Sequence, residues 1–140
     1  MKILPVEDSR VLRLSNERAL IKAGYKVITA EDGESALQCA KDQQPDLILL
    51  DLLLPKLSGL EVLARLKHNR VTAKIPVVAV SGLSEKNRQR LIEAGAEDYL
   101  EKSSAISDKG MNRLPQVLEG VICRINRKRG NKFSPILEKK

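Results

Sequence analysis

Between Pro45 and Gly59 the chain reads P-D-L-I-L-L-D-L-L-L-P-K-L-S-G, and no other stretch limits the choice of fold so strongly. Four consecutive apolar residues, Leu47 to Leu50, end at Asp51. A run that short, bounded by breakers, suits a strand covered on both faces, as in a parallel sheet. Pro55 and Gly59 mark a loop ahead of a new helical pattern. Asp51 therefore falls at the carboxyl end of a central strand, where open α/β sheets place their ligands. Taken alone, an aspartate in such a place is more often an N-cap or turn residue.

The rest of the chain repeats the same alternation. Residues 2–6 read as a short buried strand running into Glu7 and Asp8. Ser9 is an N-cap for a helix whose apolar face is marked by Val11, Leu12, Leu14, Leu20 and Ile21, with Gly24 at its end. A second strand, 26–30, leads to Asp32-Gly33, and a helix carrying Ala36, Leu37 and Ala40 stops before Pro45. After the Asp51 strand come a helix over 58–68, a strand over 76–80 that ends at Ser81-Gly82, and a helix over 85–94. A short strand, 98–101, is terminated by Lys102. The last helix begins near Met111 and carries Leu114, Val117, Leu118, Val121, Ile122 and Ile125 at helical spacing. Five βα units in strict alternation predict an α/β fold, a doubly wound five-stranded parallel sheet with helices on both faces.

Composition narrows the function. One domain fits 140 residues, and 42% hydrophobic with 31% charged residues is ordinary for a globular chain. No apolar segment approaches the roughly 20 residues that span a bilayer, so membrane insertion is not expected. The acidic residues at 7 and 8 come too early for a secretory signal, and Cys39 and Cys123 fit no metal spacing; free thiols in a cytoplasmic protein are the simplest account. His68 stands alone on a helix, which argues against catalysis or metal binding through it. From Arg124 onward there are seven Lys or Arg against Glu138 alone, so +6 of the net +7 lies in residues 124–140. That divides the chain into a domain over 1–127 and a basic tail or linker over 128–140. With a single aromatic, Phe133, among the cations, the tail offers little for nucleic acid.

The polar residues at the strand ends carry the chemistry. Glu7 and Asp8, Asp51, Ser81 and Lys102 close the first, third, fourth and fifth strands. In a parallel sheet all these ends share one edge and converge in one crevice. Three carboxylates together repel unless a cation joins them, and a hard divalent ion such as Mg²⁺ takes carboxylate, carbonyl and water oxygens. Lys102 adds a fixed positive charge and Ser81 a hydroxyl donor. Metal, ammonium and hydroxyl around one carboxylate form a receptor for a phosphoryl group, with Asp51 as nucleophile.

These motifs resemble the receiver domains of bacterial two-component response regulators, over about residues 2–126. E-D after the first strand looks like the acidic pair, and L-L-D-L-L-L-P-K-L-S-G like the phosphoacceptor strand and its loop. A-V-S-G looks like the switch hydroxyl with its small neighbour, and G-A-E-D-Y-L-E-K like the strand with the switch aromatic and the lysine. The resemblance implies the flavodoxin-like strand order 2-1-3-4-5. It implies Asp51 as phosphoacceptor, Asp8 as a direct Mg²⁺ ligand, Glu7 acting through a metal-bound water, and Leu53 giving its backbone carbonyl. It also implies Ser81 and Lys102 on the phosphoryl oxygens and Tyr99 as the ring that rotates inward when Ser81 moves. The donor would be a histidine kinase or histidine phosphotransfer protein. The target would be met through the fourth helix, fifth strand and fifth helix, where Lys86, Arg90 and Arg113 are contact candidates. A homodimer is compatible with the family, and no enzymatic activity beyond Mg-dependent self-phosphorylation and self-dephosphorylation is implied. A receiver segment of a larger hybrid kinase or multidomain regulator is the alternative.

Three departures stand out. Pro5 occupies a strand position where the family has an aliphatic residue, so a distortion beside the acidic pair is expected. Ser103 follows Lys102 where the family has proline. Leu53 and Leu83, each two residues past a site residue, cannot orient an attacking water, which predicts a long-lived phosphoaspartate. Two rival functions fit less well. An aspartate-nucleophile phosphatase would have a second acid where Leu53 stands, and a flavin carrier would have a Ser/Thr/Gly-rich loop where E-D-S-R stands.

Overall fold

A computed structural model describes residues 1–54, 57–81, 88–102 and 112–129. Its elements in chain order are β1 (Lys2–Val6), α1 (Arg10–Lys22), β2 (Lys26–Val27), α2 (Gly33–Gln43), β3 (Leu47–Asp51) and α3 (Gly59–His68). They continue with β4 (Val77–Ser81), α4 (Arg88–Glu93), β5 (Asp98–Glu101) and α5 (Leu114–Arg129). The strands form one sheet in the order β2-β1-β3-β4-β5, every pair parallel. This is the doubly wound parallel sheet expected from the alternation, in the strand order that the resemblance implies.

Side chains alternate across the sheet and build two cores. Leu4, Val6, Ile48, Leu50, Val77, Ala79 and Tyr99 face α2, α3 and α4, and meet Ala36, Ala40, Val62, Leu63, Leu66 and Leu91. Ile3, Leu47, Leu49, Val78 and Leu100 face α1 and α5, and meet Leu20, Leu114, Leu118, Val121, Ile122 and Ile125. Every residue of β3 is buried, which accounts for its unbroken apolar run. The scarcity of aromatics is met by small residues that bring elements close. A Cβ on Gly33 would lie 2.5 Å from Val62 Cγ2, so α2 and α3 pack more tightly than alanine there would allow.

Helix starts follow their caps. Ser9 accepts from Leu12 N–H (3.4 Å), Asp32 from Ser35 N–H (2.8 Å) and Ser58 from Glu61 N–H (3.2 Å). Across β5 and α5, the Arg124 guanidinium donates to the fully buried carboxylate of Asp98 at 2.8 Å.

Four expectations need correction. The second strand was expected over 26–30, but β2 covers only Lys26–Val27, with a separate bridge between Val6 and Ala30. Pro5 explains the gap. The Pro5 carbonyl accepts from Ala30 N–H on the β2 side, and within a strand the N–H and C=O of one residue point the same way. The donor that proline lacks therefore belongs to the edge ladder. On the other side β1 stays in register with β3 from Ile3↔Leu47 to Val6↔Leu50, through Pro5↔Leu49, so the distortion expected beside the acids is displaced to the sheet edge.

The apolar face assigned to α1 is also wrong in part. Val11, Leu14 and Ile21 are exposed and Leu20 is the buried one, because α1 shares its side of the sheet with the longer, more apolar α5. Finally, the last helix, expected from near Met111, begins at Leu114, after two described residues that are not helical. Met111, Gly82, Leu83, Lys86, Ser103, the start assigned to the fourth helix at 85 and the tail from Gly130 lie outside them.

Candidate functional site

Three strand ends bring the site together. Glu7 directly follows β1, Asp51 ends β3, and Lys102 directly follows β5. Glu7 and Asp51 are 4% and 3% exposed, unusual for carboxylates, and both meet one ammonium. Lys102 Nζ lies 2.9 Å from Asp51 Oδ2 and 3.2 Å from Glu7 Oε1. Asp8, the next residue, is exposed, and one carboxylate oxygen each from Glu7, Asp8 and Asp51 lie within 4.8 Å of one another.

Backbone donors hold two of the acids. Leu53 N–H donates to Asp51 Oδ1 at 3.0 Å, and Ser9 N–H to Glu7 Oε2 at 3.1 Å. Gly59 N–H reaches the Leu52 carbonyl at 3.2 Å, so the first turn of α3 lies directly against the exit of β3. Glu7, Asp51 and Lys102 line a cavity of about 30 Å³ whose other walls include Pro5, Leu49 and Leu100, giving the site an apolar side.

The electrostatics follow from this layout. Burial, helped by the Asp51 charge, raises the Glu7 carboxyl above its usual value, against the Ser9 N–H and Lys102. Burial alone would lower Lys102; its hydrogen bonds and charge contacts with Asp51 and Glu7 outweigh that and raise it. One ammonium meets two of the three carboxylates, which leaves an excess of negative charge. Hard oxygen donors this close together suit a small divalent cation, and Mg²⁺ fits the set.

The remaining expected residues are placed as follows. Ser81 ends β4 opposite Glu101, beside the strand of Asp51; its side chain lies outside the described residues. The Leu53 side chain is 70% exposed, so it stands beside the site without covering it. Tyr99 is 7% exposed and packed in the core on the α3 side of the sheet, so an inward swing would begin from a ring already covered. Arg90 and Arg113 are exposed.

Sequence reasoning missed Arg13. Its Nη1 donates to the carbonyls of Glu7 (3.1 Å) and Asp8 (3.4 Å), and its Nη2 lies 3.9 Å from Glu31 Oε2. The available signal was its position in the first turn of the helix that follows the acidic pair. It also missed the close approach of Gly59, because loop glycines are common for other reasons.

Comparison with known proteins adds a family match over most of the chain. The family model for the response regulator receiver domain matches residues 3–109. The chain is 40% identical over 102 residues to the alkaline phosphatase synthesis transcriptional regulatory protein PhoP of Bacillus subtilis, covering 72% of this chain and 42% of that protein. It is 35% identical over 105 residues to protein PilG of Pseudomonas aeruginosa, covering 73% of this chain and 76% of that protein. The solved chemotaxis response regulator CheY4 of Vibrio cholerae superposes with a TM-score of 0.74 at 27% identity, covering 89% of this chain and 97% of the other. The chain spans less than half the length of PhoP and of the similarly related regulator PhoB of Pseudomonas aeruginosa.

Proposed function

The chain belongs to the response regulator receiver family, and from that we propose that Asp51 accepts a phosphoryl group from a phosphohistidine on a kinase or phosphotransfer protein. The observation that carries the reading is the Lys102 ammonium bridging two buried carboxylates at 2.9 and 3.2 Å. In this reading one of those carboxylates is the nucleophile, and the ammonium would meet the phosphoryl oxygens. In the transfer, an Asp51 carboxylate oxygen forms the new O–P bond as the donor's N–P bond breaks, and the electron pair returns to the imidazole. Mg²⁺, when bound, neutralises charge on the transferring oxygens. Asp8 and Asp51 would hold it directly, Glu7 through water and Leu53 through its carbonyl. Lys102 keeps its charge throughout, and the Leu53 N–H orients the Asp51 carboxylate.

Phosphorylation would then shift a two-state equilibrium through Ser81 and Tyr99 toward a changed surface on α4, β5 and α5. We assign the receiver to residues 1–127 and a basic tail or linker to 128–140. Cytoplasmic action is inferred from the kind of donor; among the described residues no helix is long and apolar enough to cross a membrane. The relatives' greater length also supports the alternative, a receiver that works as one part of a longer regulator.

Intact mass after incubation with Mg²⁺ and acetyl phosphate tests the central claim. Wild type should gain one phosphoryl group, Asp51→Asn none, and chelation should abolish the gain. Modification of the Asp51→Asn protein to the same extent would remove Asp51 from the role.

A further inference from the structure

Arg13 sits in the first turn of α1, where the helix dipole disfavours a cation. Its side chain is nevertheless drawn in to 18% exposure and aimed backward at the loop that carries the acids. The guanidinium meets the carbonyls of Glu7 and Asp8, while Glu31, 66% exposed on the β2–α2 connection, lies 3.9 Å away. The two acids depend on this loop differently. The Glu7 carboxylate is buried and held by Ser9 N–H and Lys102. Among the described residues the Asp8 carboxylate has no hydrogen bond or ion pair, and the contact they give this residue is on its backbone, from Arg13.

We propose that Arg13 is a positioning residue for the metal site: by holding the Glu7 and Asp8 carbonyls it fixes the loop, aims the Asp8 carboxylate at Asp51, and thereby strengthens Mg²⁺ binding. The proposal rests on the reading of these acids as a Mg²⁺ site. Charge and geometry make opposite predictions here. A guanidinium near the acids repels a second cation, so if its charge were all that mattered, removing it would tighten Mg²⁺ binding. If it positions the loop, removing it must weaken binding, as loss of outer partners does at other metal sites.

The test is calorimetric titration of Mg²⁺ into the full chain, with no phosphodonor present, for wild type, Arg13→Met, Arg13→Lys and Glu31→Gln, with thermal unfolding in metal-free buffer as a fold control. Arg13→Met keeps the apolar stem and loses every donor; its affinity should fall about tenfold. Arg13→Lys retains one donor group and should fall between Arg13→Met and wild type, while Glu31→Gln should match wild type. Unchanged or tighter binding by Arg13→Met overturns the proposal, and so does an Arg13→Lys protein no better than Arg13→Met. Should Arg13→Met not fold, Arg13→Lys against wild type decides alone, weaker binding supporting the proposal and equal or tighter binding overturning it. A wild-type protein that takes up no Mg²⁺ defeats the metal-site reading itself, a failure visible before any variant is compared.

Discussion

Alanine at Gly59 and alanine at Gly120 add the same methyl group with opposite expected results. At Gly59 the new Cβ would stand 2.5 Å from Leu52 Cα, 2.7 Å from the Asp51 carbonyl oxygen and 3.0 Å from Leu52 Cδ2. Ordinary contact begins near 3.4 Å, and the two nearest obstacles are backbone atoms of the β3 exit. Relief therefore requires α3 and that exit to separate by about 0.9 Å. Such a shift takes the Gly59 N–H beyond bonding reach of the Leu52 carbonyl, now 3.2 Å away. Overpacking of this kind costs about 1–3 kcal/mol, and the lost hydrogen bond about 1 kcal/mol. A net loss of about 2–3 kcal/mol corresponds to a Tm roughly 10 °C lower in a domain of this size. Gly120 lies on the open side of α5 with nothing within 4 Å of a new Cβ. Alanine there should stabilise by about 0.5–1 kcal/mol through helix propensity and a less flexible unfolded chain. Thermal and urea unfolding followed by circular dichroism measure both, and phosphoryl uptake by Gly59→Ala should slow because the displaced backbone carries Asp51. If Gly59→Ala melts within a degree of wild type, the close approach does not hold the exit of β3 in place.

Two further outcomes follow from the site. Glu7 has a folded pKa above its usual 4.5, so the stability it contributes is fully present below 4.5 and is lost as pH rises through the raised value; Glu7→Gln, which stays neutral, should raise the Tm of the metal-free protein most at neutral pH, with the advantage shrinking on acidification, and a difference that is flat with pH would count against the buried charge. Leu53, exposed and apolar beside Asp51, offers no hydrogen bond to an attacking water, so the phosphorylated protein should persist for minutes or longer and Leu53→Glu should shorten that several-fold; a wild-type half-life of seconds, read by intact mass, would refute this.

The sequence made the alternation legible because parallel strands buried on both faces cannot hide. The run 47–50, with acids or lysine at strand ends, makes Glu7, Asp8, Asp51 and Lys102 legible from the sequence alone. What remained illegible depends on competition between elements. Val11, Leu14 and Ile21 look as buriable as Leu20, yet one helix face has room only for what α5 leaves uncovered. Pro5 reads as a defect in a central strand until the direction of its carbonyl shows that the missing donor faces the edge. Arg13 is indistinguishable in sequence from a solvated surface arginine, since its role depends on a backward turn of the side chain.

The Lys102 bridge also bears on the order of folding. Its ammonium reaches back 51 residues to Asp51, and farther to Glu7. During synthesis β1, β3 and β4 can pair before β5 exists, and that partial sheet gathers three carboxylates with no ammonium among them. Contacts of such long sequence separation form slowly, so the repulsion acts while the β4 edge is still open. Docking of β5 closes that edge and delivers the balancing charge in one event. β5, the last of these five strands in chain order, thus completes the sheet and the site together, and a chain still lacking it is poorly equipped to take part in signalling.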